Sequence, residues 1–171
     1  MDKKQGKKNR ESGKRFELKV RADLEKQGYI VDRWTNQVEL IELGEIHIKN
    51  MSAGNLIKGD LKYKEYGEGK LVSCRPKFNP FTKSLMMNSG GMPDFIAFKV
   101  INSIDPRHPY KFYEVIGVEC KGGDQNHKYL DKEEKEKCRW LLNNNIFSKI
   151  LIAQKGIKRG QIIYTEFENG N

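Results

Sequence analysis

The chain has 171 residues, of which 37% are hydrophobic and 32% are charged, and its formal net charge is +9. This length suits one domain, and the composition is that of a globular protein and not of a disordered one. No apolar run approaches the ~20 residues of a membrane span, and the Lys-rich start lacks the apolar segment of a signal peptide, so we expect a cytoplasmic location with no membrane partner.

The three cysteines are an odd number and show no C-x-x-C spacing. This pattern indicates neither a disulfide framework nor a structural zinc site. We therefore expect Cys74, Cys120 and Cys138 to be reduced, as they would be inside a cell, and mostly buried.

The first fifteen residues contain seven Lys or Arg and only two acids, so more than half of the net charge lies there. We predict a basic flexible arm over residues 1–11. Such an arm is either a solvated tail or a segment that follows nucleic-acid phosphates, in which case Lys7 and Lys8 contact DNA. The positive charge of the remaining chain also favours a polyanionic partner.

The first predicted helix covers residues 12–28, with Ser12 as its N-cap and Gly28 at its end. Its apolar face consists of positions spaced four residues apart: Phe16, Val20 and Leu24. Residues 29–34 predict a short strand that follows this helix.

From about residue 35 to residue 90 the pattern is weaker, and we interpret this segment as an insertion in the domain. Residues 45–49 and 70–75 are candidate strands in a region where Gly, Asn and Pro are scattered. Residues 75–81, "RPKFNPF", contain two prolines and are expected to be irregular.

The last half of the chain gives clearer signals. Residues 94–100 and 110–121 predict two strands that pair as neighbours across a polar loop. Residues 129–145 predict a helix, because Asp131 and Glu134 form a capping-box pattern at its start. Residues 148–154 predict a buried strand. The predicted fold class is therefore α/β, with helices over a central mixed sheet in the order αβββαβ.

Two neighbouring strands bring polar residues to one place in this prediction. Glu119 and Lys121 lie two residues apart and so share a face, with Gly117 leaving space beside them. Asp94 lies at the start of the adjoining strand. Asp94 is either a turn residue that caps the strand or a functional acid, and Glu119 with Lys121 is either an exposed pair or part of a cleft.

The sequence "PD" at residues 93–94 followed by "ECK" at residues 119–121 resembles the PD-(D/E)xK nuclease superfamily, over a region from about Ser12 to Ala153. The resemblance implies a restriction-endonuclease-like core. Residues 13–34 and 129–138 are similar to archaeal Holliday-junction resolvases and related restriction-like nucleases. The segment of roughly sixty residues before "PD" is longer than in the compact resolvases, which leaves junction specificity open.

The resemblance implies that Asp94 and Glu119 are metal carboxylates, that the backbone carbonyl of Cys120 is a further ligand, and that Lys121 lies beside the reaction centre. The implied cofactor is Mg²⁺, for which Mn²⁺ is expected to substitute. Lys121 orients or deprotonates the attacking water, or holds the phosphate. Burial near a metal is expected to lower its pKa.

The resemblance also points to the first helix. Glu17 is a candidate third metal ligand, because resolvase-like members carry a Glu there; the alternative is a solvated helix acid. Lys14 and Arg15, one turn or less before it, are expected to lie near a bound phosphate.

These observations predict a Mg²⁺-dependent DNA endonuclease with Asp94, Glu119 and Lys121 as its catalytic residues. Branched-DNA resolution is the leading subtype, and a homodimer is plausible by resemblance, since two strands must be cut. The alternatives are a nuclease that acts on duplex ends, flaps or single strands, and a non-catalytic DNA-binding module on the same fold.

Overall fold

The structure is a computed structural model that describes residues 3–48, 61–80, 83–86, 91–101, 112–122 and 129–168. Its elements are, in chain order, α1 (Lys3–Lys26), β1 (Ile30–Arg33), β2 (Asn36–Ile48), β3 (Leu61–Ser73), β4 (Lys77–Asn79), β5 (Ser84–Met86), β6 (Phe95–Ile101), β7 (Phe112–Lys121), α2 (Lys132–Asn143), β8 (Lys149–Lys155) and β9 (Ile162–Glu166). No helix in the described ranges is long and apolar enough to cross a membrane.

Helix α1 is longer than the sequence pattern predicts. It begins at Lys3, so the predicted N-cap at Ser12 is wrong and residues 3–11 extend the helix. The physical reason is that the Lys, Gln, Arg and Glu residues of this stretch are good helix formers, and only Gly6 opposes them. The predicted end is confirmed, because Gly28 adopts a left-handed φ of 86° directly after the last turn.

The central sheet has five strands in the order β1-β6-β7-β8-β9. The pair β7 and β8 is parallel and the other three pairs are antiparallel, so the sheet is mixed. The expected pairing of β6 with β7 is confirmed, and it places Phe95 opposite Val118. Strand β9 at the edge was not predicted.

One helix covers each face of this sheet. Helix α1 packs through Phe16, Val20 and Leu24 against one face, where Ile116 and Val118 of β7 are buried. Helix α2 packs through Cys138 and Leu141 against the other face. The prediction of a mixed α/β domain with helices over a central sheet is therefore confirmed. Without the two hairpins between β1 and β6, the elements follow the predicted αβββαβ order, and β9 is added at the end.

The segment between β1 and β6 forms two separate hairpins, β2 with β3 and β4 with β5. The candidate strands at residues 45–49 and 70–75 fall largely within the longer strands β2 and β3. The prediction that residues 75–81 are wholly irregular is wrong, because β4 lies inside them. The base of the first hairpin contacts α2, where Gly69 leaves room for the indole of Trp140, 2.6 Å from the position of an added Cβ.

Gly117 in the middle of β7 lets the residue before Asp94 pack closely. A Cβ added at Gly117 would lie 2.7 Å from Cγ of Pro93, 3.2 Å from the ring of Phe147 and 3.3 Å from the side chain of Ile150. The space that we expected beside Gly117 is therefore filled. The pyrrolidine ring of Pro93 rests on the backbone of β7 and holds the start of β6 against it.

We predict that Gly117→Ala destabilises the protein by about 1–3 kcal/mol, because the added methyl group overpacks this contact. Gly13→Ala is the matched control. Gly13 lies inside α1 with no atom within 4 Å of an added Cβ, so the same change should stabilise the helix by about 0.5–1 kcal/mol. Urea unfolding of both variants measures the two effects, and equal stability of the two variants would contradict the packing described for Gly117.

Candidate functional site

Asp94 lies at the start of β6, and hydrogen bonds to both neighbouring strands hold it in place. Its side-chain Oδ2 accepts the backbone N–H of Cys120 at 2.8 Å. Its backbone carbonyl accepts the N–H of Trp34, which follows β1, at 3.1 Å. The carboxylate of Asp94 therefore contacts the end of β7 and does not bond within its own turn.

Glu119 occupies the end of β7 on the face that α2 covers. Among the residues that the structure describes, it is the one charged side chain that is buried, with 8% of its surface exposed. Lys121 lies on the same face, and its Nζ is 3.2 Å from Oε1 of Glu119. The predicted sharing of one face by these two residues is confirmed, and they are not an exposed pair.

Lys121 has a second acidic partner on α2. Its Nζ donates to Oε1 of Glu134 at 2.6 Å. Desolvation lowers the pKa of Lys121, but the charges and hydrogen bonds of Glu119 and Glu134 together outweigh it, so this pKa is raised above its ordinary value. Without a metal, the side chain is therefore an ammonium and not a free base.

Glu134 does two things at once. Its Oε2 accepts the backbone N–H of Asp131 at 2.9 Å, while the side chain of Asp131 accepts the N–H of Glu134 at 2.8 Å. This confirms the predicted capping box. Its other oxygen holds Lys121, a contact that the sequence analysis missed. The chain topology could have predicted this contact, because a helix that connects two parallel strands begins near the end of the first strand.

Burial raises the pKa of both carboxyl groups. For Glu119 desolvation is the largest cause and the charge of Asp94 adds to it, against the attraction of Lys121, and the pKa rises to about 8 from an ordinary 4.5. For Asp94 desolvation again dominates, the N–H of Cys120 opposes it, and the charge of Glu17 adds to the rise. The site thus brings together two carboxylates whose negative charges are poorly compensated by the protein.

Glu17 lies near this pair but is engaged elsewhere. Its Oε2 accepts Nη2 of Arg33, at the end of β1, at 2.6 Å. Its charge still raises the pKa of Asp94, while Arg33 lowers it. The structure therefore places Glu17 at the border of the site as an ion-pair partner. Arg33 is a cation near the site that the sequence analysis did not consider.

The four basic residues expected to contact DNA are exposed and lie on α1, but they do not share one face. At 3.6 residues per turn, Lys8 and Arg15 align on one side of the helix and Lys7 and Lys14 on another. Arg15 is held by a hydrogen bond from its Nε to the carbonyl of Glu11 at 3.2 Å. The basic residues of α1 thus form two separate rows.

The donor set of this site suits Mg²⁺ better than zinc. In the described part of the chain, no group of three or more His, Cys, Asp or Glu side chains is arranged to hold a metal. Zinc sites use three or four protein ligands, whereas Mg²⁺ needs one or two carboxylates and keeps several waters. Burial raises the pKa of the Cys120 thiol, so its sulfur remains protonated and only its backbone carbonyl is a suitable ligand. Asp94 and Glu119 therefore fit a magnesium ion.

Comparisons of the chain with protein-family models, with curated proteins and with solved structures found no match. The arguments for a function are therefore the geometry and the charges of the site itself. They consist of two desolvated carboxylates, a held ammonium and an exposed basic helix.

We predict that Glu119→Gln stabilises the metal-free protein, and does so more strongly as the pH rises. Unfolded Glu119 releases its proton above its ordinary pKa of 4.5, whereas the native state retains it to about 8. The native state thus binds more protons in this interval, and wild-type stability falls as the pH increases through it. The Glu119→Gln substitution removes this pH-dependent loss of stability, because Gln does not titrate.

Thermal unfolding in EDTA between pH 5 and pH 8 measures the effect. Glu39→Gln, at an exposed position of β2, is the control for the loss of a carboxyl group, and we expect its stability to stay within about 0.5 kcal/mol of wild type. A Glu119→Gln protein that unfolds in parallel with wild type across this range would show that the buried carboxylate carries no such penalty.

Proposed function

We propose that this protein is a Mg²⁺-dependent DNA endonuclease with a restriction-endonuclease-like core. The observation that carries the proposal is the convergence of Asp94, Glu119 and Lys121 at the ends of two paired strands. Two desolvated carboxylates with raised pKa values destabilise the protein unless a cation joins them. Such a cost is expected at a functional site and not in a structural core.

The order of the elements supports the choice of family. Helix α1, strands β1, β6 and β7, helix α2 and strand β8 follow one another as the PD-(D/E)xK resemblance implies. In this arrangement "PD" directly precedes β6 and "ECK" ends β7, so both motifs lie at one edge of the sheet. The two hairpins between β1 and β6 are additions to that core.

DNA is the partner that the charge favours. The net charge of +9 attracts a polyanion, and α1 carries exposed basic residues along its length. A pure DNA-binding module has no reason to bring two acids together where phosphates approach. The acids and the surrounding cations together therefore favour a nuclease.

The chain's own residues have separable roles in phosphodiester hydrolysis. A bound Mg²⁺ supplies charge stabilisation at the phosphoryl group and lowers the pKa of a water molecule. Asp94 and Glu119 would hold the ion, and the Cys120 N–H fixes the orientation of the Asp94 carboxylate. Lys121, held between Glu119 and Glu134, is placed to donate hydrogen bonds to the phosphate or to the attacking water.

We predict that wild-type protein cleaves DNA in Mg²⁺ or Mn²⁺ and not in EDTA, and that Asp94→Asn, Glu119→Gln and Lys121→Ala each remove nearly all cleavage. Groups that act as a unit lose most of their effect with the first deletion, so a double variant should be about as inactive as either single one. Glu39→Gln is the charge-matched control and should cleave normally.

The substrates for this assay are a linear duplex, a single strand, a flap and a four-way junction. A resolvase-like, dimeric enzyme cuts the junction at paired symmetric positions, whereas the other nuclease subtypes prefer ends, flaps or single strands. DNA binding without cleavage of any of the four would leave the binding module as the function. Full Mg²⁺-dependent cleavage by well-folded Asp94→Asn protein would exclude Asp94 from the site.

We predict that Glu134 positions Lys121 for the reaction, separately from its capping role. Glu134→Gln retains an oxygen for the Asp131 N–H but loses the charge that holds Lys121. The cleavage rate should fall about 10- to 100-fold, as for other residues that orient active-site groups, with little change in KM or stability. Asp131→Ala is the matched control, because it removes the cap and costs about 1 kcal/mol of stability while the Glu134–Lys121 pair remains.

Unfolding free energies and separate kcat and KM values distinguish the two roles of Glu134. If Asp131→Ala and Glu134→Gln lose stability and cleavage rate in parallel, Glu134 acts only through the helix cap. A Glu134→Asp variant that recovers part of kcat would support the positioning role, since it restores the charge.

A further inference from the structure

A cleft of about 410 Å³ lies between α1 and the turn that joins β8 to β9. Its wall on α1 includes Ser12, Arg15, Phe16 and Lys19, and its wall on the turn is formed by residues 155–162. Five of the lining residues are cations and none is an acid. These cations are Arg15, Lys19, Lys155, Lys158 and Arg159.

The positive charge of this cleft is not neutralised by the described part of the protein. All five cations are exposed, and none forms an ion pair with a residue that the structure describes. The ammonium of Lys155 instead lies 5.6 Å from the centre of the Phe16 ring. Five like charges around one concave surface repel one another, and a bound anion would relieve that repulsion.

Backbone hydrogen bonds fix the conformation of the turn between β8 and β9, which carries two of the cations. Gly156 donates its N–H to the carbonyl of Gln161 at 2.9 Å, and Gln161 donates its N–H to the carbonyl of Lys158 at 3.0 Å. Gly160 supplies the left-handed φ of 85° that the turn requires. Lys158 and Arg159 are therefore held at the tip of a closed loop and face α1 across the cleft.

The cleft and the candidate active site are connected through Phe16. The Phe16 side chain lines the cleft and also packs under Gly122, which follows Lys121. Glu17, the next residue of α1, is near enough to raise the pKa of Asp94. The side chain that lines the cleft therefore contacts the residue that directly follows Lys121.

The shape of the basic surface favours a chain of phosphates over a single small anion. Lys8, Ser12, Arg15 and Lys19 align on one face of α1, and the row extends for about 16 Å at 1.5 Å per residue. Neighbouring phosphates of a DNA strand are separated by less than this length, so the row can contact more than one of them. A free phosphate or nucleotide would use only part of the row.

We propose that the cleft between α1 and the β8–β9 turn binds the sugar-phosphate backbone of the strand that enters the active site. This inference rests on the proposed function in taking nucleic acid as the substrate. The contacts are to phosphates, so the cleft adds affinity and fixes the path of the strand without reading its sequence.

The test compares two double variants that each remove two positive charges. The first is Lys158→Gln/Arg159→Gln, in the cleft, and the second is Lys70→Gln/Arg75→Gln, at exposed positions outside it. Affinity for a labelled duplex is measured in EDTA over a range of salt concentrations, so that no cleavage occurs. Circular dichroism confirms that both variants are folded.

We expect the cleft variant to bind at least about tenfold more weakly and to lose roughly 1.8 units of salt slope, or 0.9 per phosphate contact. The control should stay within about twofold of wild type. Equal losses in the two variants would overturn the inference, since net charge alone would then account for them. Displacement of the duplex by stoichiometric tripolyphosphate at matched ionic strength would also overturn it and would indicate a small-anion site.

Cleavage in Mg²⁺ is measured separately with the same proteins, which distinguishes this inference from the proposed function. Wild-type protein that fails to cleave, with the affinity loss of the cleft variant intact, would remove the endonuclease and support the cleft as a nucleic-acid contact. If wild-type protein cleaves DNA and the two double variants bind it equally well, the proposed endonuclease activity is supported and the proposed role of the cleft is contradicted.

Discussion

The burial of Glu119 at the end of β7 is the constraint on which the site depends. A carboxylate in this environment favours its protonated form, and the neighbouring Asp94 strengthens that tendency. The fold offers only partial compensation through Lys121, which it shares with Glu134. The arrangement is therefore electrostatically unfavourable, and a divalent cation between the two acids would relieve it, which is the physical basis of the proposed metal site.

The two helices contribute to the site from opposite sides of the sheet. Helix α2 begins where β7 ends, and its capping box fixes Glu134 beside Lys121. Helix α1 crosses the other face and brings Glu17, paired with Arg33, to the border of the site. Glu134 reaches Lys121 because α2 begins close to the end of β7. Glu17 reaches Arg33 because α1 packs beside β1.

Several features could be predicted from the sequence because they depend on short-range periodicity. Strand alternation placed Glu119 and Lys121 on one face, and the spacing of Asp131 and Glu134 identified the start of α2. The predicted start of α1 was wrong, since a Lys-rich stretch has no apolar face and resembles a solvated tail in the sequence. The prediction of open space beside Gly117 was wrong for another reason, because strand alternation alone does not show that Pro93 packs there. Contacts such as those of Glu134 with Lys121 and Glu17 with Arg33 require the tertiary fold.

The proposed nuclease has two surfaces of different charge, which are the basic cleft and the pair of acids Asp94 and Glu119. In the proposed enzyme, cations on α1 and the β8–β9 turn would attract phosphates along the cleft. Without a divalent ion, Glu119 keeps its proton up to a pKa of about 8, so the acids would offer an approaching phosphate no attraction. A divalent ion held by Asp94 and Glu119 would make the local charge positive, so the same surface would then accept a phosphate at the acids as well. In the proposed enzyme, metal binding and placement of the strand would thus be coupled through charge.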